Sequence, residues 1–255
     1  MWFRMGLAGL DIGVTCNFRQ VRDYCNDYVI ESDFSSPSIH DPDFVVDVSS
    51  GIYRVMAKNA ETFSEAEEGH RYNFYNPAKL EVLETYRLIA EQLPYFDALL
   101  VHGSAIATDG RGYMFTAPSG TGKSTRTKLW LEGVPNSYVV NGDKPILRLR
   151  DDCVWVCGAP WCGKERWNTN ARVPLQAIYL LERAEVGEED TLNKVEQSVA
   201  LDYMLRQTYI PDNHTALVLS IELLKKVIDR VAVYKFRCGN NQESVRHAWD
   251  ATSSS

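Results

Sequence analysis

Residues 115–130 read "FTAPSGTGKSTRTKLW": a β-rich end, a run of small residues, then Gly-Lys-Ser at the head of a helical pattern. Gly120, Gly122, Lys123 and Ser124 match the back half of G-x-x-x-x-G-K-[ST], with Ala117 where the pattern starts with glycine. Small residues at this spacing let backbone N–H groups from Ser119 to Thr125 converge on phosphate oxygens, and the helix that follows turns its positive end to the same anion. Lys123 then neutralises the outer phosphates and the Ser124 hydroxyl joins a Mg²⁺ shell. Ala117 is tolerable if its φ is negative, since only a left-handed residue needs glycine. The plainer reading is a glycine turn that caps a helix. The order strand, loop, Gly-Lys-Ser, helix favours a bound nucleotide over it.

The flanking segments set the expected fold. "ALLVHGSAIATDGRGYMFTA" holds two β-rich runs joined through Asp109 and Gly110, a hairpin signal, so the strand feeding the loop arrives from a hairpin. "KSTRTKLWLEG" reads as a helix closed by Gly133. "SYVVN", "ILRLR" and "CVWVC" read as strands, the last two joined across Asp151 and Asp152, and "VPLQAIYLLER" as a long apolar strand. Helical patterns follow around "VEQSVALDYMLRQ" and "ALVLSIELLKKVIDR", then a strand "VAVYKF" and a helix "QESVRHAW". Upstream, "PAKLEVLETYRLIAEQLPYF" places Leu80, Leu83, Tyr86, Ile89 and Leu93 on one helix face between Pro77 and Pro94. Residues 1–76 offer short alternating pieces, "DFVVDVSS" and "GIYRVMA", and the turn-rich "SSPSIHDPD". The expectation is an α/β chain of the α+β kind, with a mixed, partly antiparallel sheet flanked by helices. It comprises a β-rich segment over 1–76, a nucleotide-binding domain over 77–250 and a frayed end over 251–255.

Composition removes several classes. With 27 Lys+Arg against 34 Asp+Glu the net charge is −7, which disfavours nonspecific binding to nucleic acid or an anionic membrane. No run approaches the ~18–20 apolar residues of a membrane span, and "MWFRMGLAGLDIGVTC" lacks the apolar core of a signal peptide, so a cytoplasmic protein is expected. Cys153, Cys157 and Cys162 are close together, but without a C-x-x-C pair or a nearby His they read as buried thiols rather than a metal site.

Phosphate transfer needs a metal carboxylate and a base. Asp143 follows the strand "SYVVN", with Asn141 and Lys144 adding polar groups at the same strand end, although "NGDKP" also reads as a simple turn. His102 in "VHGSAI" lies beside the strand entering the loop; a lone His on an apolar strand is more often a core residue. "GAPWCGKERWN" carries Trp161, Lys164, Glu165 and Arg166 in a polar loop, either solvated or clamping phosphate and gating the acceptor.

Together these stretches resemble the HPr kinase/phosphorylase family, whose catalytic domain is similar to that of phosphoenolpyruvate carboxykinase. "HGSAI" resembles the family's His-Gly strand, "APSGTGKST" its phosphate loop, "VVNGDKPILR" its acidic strand and "VPLQAIYLLERAE" its later core strand, over roughly residues 98–250. The wording "PWCGKE" and "RQTYIP" resembles a divergent branch of that family more than its classical members. The resemblance implies ATP and Mg²⁺ as cofactors and a hydroxyl acceptor, most simply a serine of a protein or peptide or else a small molecule. It implies His102 and Asp143 as the acid/base pair, Lys164 or Arg166 as transition-state cations, and Ser124, Asp143 and Glu165 at the metal. It also implies a possible homo-oligomer. Where the family carries two consecutive acids, this chain has Gly142 and Asp143, so one carboxylate is missing. That departure keeps a nucleotide-binding regulatory module without transfer in play. A carboxykinase-type enzyme is the weakest reading, because the chain is short and no oxaloacetate-site residues are recognisable.

Overall fold

The computed structural model describes residues 1–31, 41–49, 76–185 and 187–253, and these divide into two units, Met1–Ile89 and Ala90–Ser255. "GIYRVMA" and most of "SSPSIHDPD" lie outside the described residues.

In the first unit β1 (Trp2–Leu7) and β2 (Leu10–Thr15) form an antiparallel hairpin that turns at Ala8 and Gly9, with φ of 53° and 77°. Two consecutive left-handed residues give the turn whose twist matches that of the strands. Phe3, Met5, Leu7, Leu10, Ile12 and Val14 are all buried, a period of two that the opening sequence carries. β3 (Phe44–Asp47), expected from "DFVVDVSS", pairs parallel to β2. Helix α1 (Arg19–Tyr24) starts under the fully buried carboxylate of Glu81, which accepts the backbone N–H groups of Asn17 and Phe18 at 2.8 Å each. Glu81 belongs to α2 (Pro77–Gln92), the helix expected between the two prolines. Its buried face differs from the expected one: Leu80 and Ile89 are buried, but Leu83 is 52% exposed while Glu81, Glu84 and Thr85 lie inside. Capping α1 with Glu81 turns the helix away from the stripe that the leucines alone suggest.

The second unit is built on a nine-stranded mixed sheet. Its strands are β4 (Ala98–Leu100), β5 (Ser104–Thr108), β6 (Arg111–Thr116), β7 (Ser137–Asn141), β8 (Ile146–Arg150), β9 (Cys153–Cys157), β10 (Arg172–Arg183), β11 (Thr191–Lys194) and β12 (Ala232–Cys238). The long strand β10 joins two pairing regimes. Arg172–Pro174 pair antiparallel with β9, while Leu175–Leu180 and Ala177–Arg183 pair parallel with β6 and β12. Strands β5 and β6 form the expected hairpin, turning at Asp109 (φ 48°) and Gly110 (φ 78°); Asp151 and Asp152, also left-handed, turn β8 into β9.

Alternation along the central strands fills both faces. Met114, Ile178, Leu180 and Val233 pack with Met204 of α4 (Gln197–Leu205) and with Leu224 and Val227 of α5 (His214–Arg230). Tyr113, Phe115, Tyr179 and Phe236 pack with Trp130 of α3 (Lys123–Gly133) and with Val245 and Ala248 of α6 (Gln242–Ser253). Phe115 stacks on Tyr179 with ring centroids 5.0 Å apart. The molecule is thus a mixed α+β fold with helices on both faces of the larger sheet.

Two chain ends of elements differ from expectation. Gly133 is not a left-handed cap; it stays helical and leaves room for the Gln242 side chain, which a Cβ there would meet, and the left-handed turn falls at Asn136 (φ 57°). Ala251–Ser253 are not frayed but complete α6, with Thr252 buried and its hydroxyl 2.6 Å from that of Tyr179. Strand β11, unmarked by apolar alternation, pairs with β12 as an edge.

Candidate functional site

The register sets the ends of three strands side by side: Phe115 of β6 faces Ser104 of β5, and Ala105 faces Asn141 of β7. The glycine loop follows β6, His102 precedes β5 and Asp143 follows β7 at these ends, while Lys164, Glu165 and Arg166 belong to the segment between β9 and β10. After Thr116 the chain enters Ala117, which is fully buried and keeps a negative φ, so its methyl group fits the core where the motif has glycine. Gly120 (φ 79°) and Gly122 (φ 119°) take left-handed conformations that side chains resist, and Gly122 is the N-cap of α3. Ser119, Ser124 and Thr125 are exposed around this turn, and the Thr121 hydroxyl donates to the Pro118 carbonyl at 2.9 Å. Lys123 folds back over the loop, its Nζ donating to the carbonyls of Ala117 at 2.8 Å and Pro118 at 3.4 Å. Burial pushes the Lys123 ammonium below its usual range; the charge of Asp143 opposes this and that of Lys144 adds to it.

His102 lies in a bend between β4 and β5 rather than on the hairpin strand, and its side chain is 33% exposed. It is therefore not a core histidine. Its backbone is pinned on both sides: the N–H donates to the Gln207 carbonyl at 2.6 Å, and its carbonyl accepts from Thr116 Oγ1 at 2.8 Å. Next to it a Cβ on Gly103 would come within 2.9 Å of the Phe115 carbonyl, so only glycine lets the bend approach β6. The ring spans two partners, with Nδ1 3.1 Å from Gln207 Oε1 and Nε2 3.4 Å from Asp143 Oδ1.

Asp143 is placed by Asn141, a fully buried side chain with all its partners in one turn and one loop. Asn141 Oδ1 accepts the N–H groups of Asp143 and Lys144 at 2.9 and 2.7 Å, and its Nδ2 donates to the carbonyls of Ala159 and Trp161. The Asp143 carbonyl in turn accepts from Gly103 N at 2.8 Å. Burial alone raises the Asp143 carboxyl, but the hydrogen bond from His102 and the Lys144 charge, with Nζ at 3.2 Å, overcome it and hold the group at about 2. The aspartate is thus an anion at any physiological pH. Gly142 beside it has little room: a Cβ would lie 3.1 Å from the Cys162 carbonyl and 3.4 Å from Trp167.

Lys164, Glu165 and Arg166 are exposed on the turn that follows Gly163, which is left-handed (φ 77°) and so close to Asp143 that a Cβ on it would lie 3.1 Å from Asp143 Cβ. That turn is therefore laid against Asp143. Trp167 continues it, its ring 5.5 Å from Lys128 Nζ of α3. Among the described residues no group of three His, Cys, Asp or Glu converges as a metal cage, and Cys157 and Cys162 are buried thiols. A divalent ion here would draw on Asp143 and the Ser124 hydroxyl, with the remaining positions left to phosphate oxygens and water, which suits Mg²⁺.

Sequence reasoning named His102, Asp143 and Lys123, and these come together. It missed Gln207, which carries no motif and reaches His102 only through the isolated bridge of Val101 with Thr208. It also treated Asn141 as one polar group among several; a buried Asn two residues before an Asp is the signal for the turn it organises.

No family model and no curated protein matches the chain. Among solved structures, the HPr(Ser) kinase/phosphatase from Coxiella burnetii is similar at 13% identity with a TM-score of 0.27, over 49% of this chain and 93% of that one.

Proposed function

We propose that the protein is an ATP-dependent phosphotransferase that moves the γ-phosphate of Mg·ATP to a hydroxyl, with a serine of a protein or peptide as the favoured acceptor. The observation that supports this most directly is the position of Lys123: it sits at the mouth of the glycine loop, within electrostatic reach of a carboxylate that is hydrogen-bonded to a histidine. In this reading Lys123 leaves the Ala117 carbonyl for the outer phosphates, and the backbone of Ser119–Thr125 takes the rest of the triphosphate. Asp143 and the Ser124 hydroxyl would hold a Mg²⁺ ion, which would supply charge neutralisation. The bond from the γ-phosphorus to the β–γ bridging oxygen breaks as a bond to the acceptor oxygen forms. The hydroxyl proton passes to the His102 imidazole at Nδ1, since Nε2 already donates its N–H to Asp143, and a carboxylate held at about 2 is a poor proton store but a good partner for the imidazolium that results. Lys164 and Arg166, on the turn against Asp143, are the cations available to the transferred group.

A nucleotide-binding module without transfer is the second reading, favoured by Gly142, which leaves a single carboxylate where two jobs exist. One experiment addresses both. Mg·ATP is added to the protein while thermal stability and ADP release are followed. Binding at 100 times Kd stabilises by about 2.7 kcal/mol, and Lys123→Ala is expected to remove that gain. ADP release with serine-containing peptides supports transfer, stabilisation without ADP supports the module, and stabilisation that survives Lys123→Ala refutes the loop assignment.

A further inference from the structure

The phosphate loop has two flanks, and they are chemically different. On the side of β5 and β7 lie His102 and Asp143. On the other side run β10 and β12, parallel to β6, and both continue beyond its end: Thr116 is level with Leu180 and Lys235, whereas β12 goes on to Cys238. Those three further residues, roughly 10 Å of strand, raise a wall beside the loop.

At the top of that wall Gly239, Asn240 and Asn241 connect β12 to α6, and they are bolted to the phosphate-loop helix. The guanidinium of Arg126, three residues after Lys123 and 2% exposed, donates to Ser244 Oγ at 2.6 Å and to the Gly239 carbonyl at 2.5 Å. Asp190 Oδ1 accepts the Gly239 N–H at 2.8 Å, and Asn241 Oδ1 accepts that of Ser244 at 2.8 Å, which starts α6. Asn241 is thereby committed to the helix cap. Asn240 is exposed, its amide makes no hydrogen bond among the described residues, and its Oδ1 lies 4.0 Å from where a Cβ on Gly122 would be.

A triphosphate is linear, so the end at His102 and Asp143 fixes where the other end goes. With the outer phosphate at Lys123 on the β7 flank, the nucleoside leaves the loop past Gly122 toward the β12 wall. We infer that the Gly239–Asn241 loop is a nucleoside-recognition site and that the Asn240 side chain reads the base, pairing its amide donor and acceptor with adjacent complementary atoms such as N6 and N7 of adenine. Arg126 makes the loop a fixed wall, so the ligand does not have to order it. This inference rests on the phosphate-loop reading above, and the test separates the two.

Inorganic tripolyphosphate carries the phosphates without the nucleoside. Calorimetry is run with Mg·tripolyphosphate and Mg·ATP on the native protein and on Asn240→Ala, an exposed loop substitution. The native protein is expected to bind both, ATP the tighter by about tenfold or more, as one well-placed amide pair contributes. Asn240→Ala is expected to bring ATP down to the affinity of tripolyphosphate, whose own affinity stays unchanged. Equal affinities in the native protein, or an ATP advantage that survives Asn240→Ala, overturn the nucleoside site while leaving the phosphate loop standing. No binding of either ligand overturns the phosphate loop and the nucleoside site together.

Discussion

His102 is a residue whose environment decides between two roles. One-third exposure, a backbone pinned at both N–H and carbonyl, and a ring suspended between an amide and a carboxylate are costs that a packing residue has no use for. Replacing it with Ala is expected to leave the protein folded and Mg·ATP affinity near native, to lower stability by no more than the roughly 2 kcal/mol tied to the Asp143 carboxylate, and to cut transfer by roughly 10²–10⁴-fold, the contribution of a positioned acid or base. Parallel melts and ADP assays check it; a protein that fails to fold returns the residue to a structural role. Placing an acid at position 142 is a poorer experiment than the sequence suggests. The Cys162 carbonyl and Trp167 crowd that site, so a side chain there displaces the loop laid over Asp143 before it can act on anything. The glycine loop and the placement of Asp143 were legible because the signal for each is local, within a few residues of one strand end. Gln207 was not, because nothing near it in the chain signals a partner 105 residues away.

Helix α3 carries two sides of the site. Lys123 begins it, and one turn later Arg126 reaches inward to hold the Gly239–Asn241 loop and to lie over the Phe236 ring at 5.2 Å. A buried guanidinium with only neutral hydrogen-bonding partners is expensive to desolvate and is retained only if every donor is used. Arg126→Met keeps the bulk and removes the donors. We expect a loss of about 2 kcal/mol in stability, from charge-assisted bonds worth about 1.5–3 kcal/mol each less the relief of a desolvated cation. Chemical denaturation measures it, and a variant as stable as the native protein would show that the loop is held by Asp190 and Asn241 alone. At this scale most elements of the second unit could be read from turn chemistry and alternation. Helix α2 could not be oriented, since its buried carboxylates outrank its leucines for the inner face, and β11 lacked the pattern altogether.

Across the whole molecule, net charge and composition bear on which partners to expect but leave the sheet order open. The decisive contacts join segments far apart, such as β6 to β10 and β10 to β12, and no periodicity encodes them. One electrostatic property of the fold can be measured globally. The Asp143 carboxyl is held at about 2 against an ordinary value of 3.8, so the folded state binds its proton less readily than the unfolded chain does. The stability this contributes, of order 2 kcal/mol, is complete above pH 4 and disappears as pH falls through about 2. Native protein and Asp143→Asn are therefore expected to differ in stability at pH 6 and to converge toward pH 2. Acid titration of both by circular dichroism checks this, and a gap that persists at pH 2 would assign the difference to packing.

The double allegiance of β10 has a consequence for biosynthesis. Its second half emerges from the ribosome long before β12, which is some fifty residues further on, and translation needs on the order of several seconds to supply it. Through that interval the nascent chain presents Ala177–Arg183 as a bare hydrophobic edge, open to pairing with any passing strand. Chaperone capture of chains arrested between Arg183 and Ala232, and its release once Cys238 has cleared the exit tunnel, is the in vivo signature that this topology imposes.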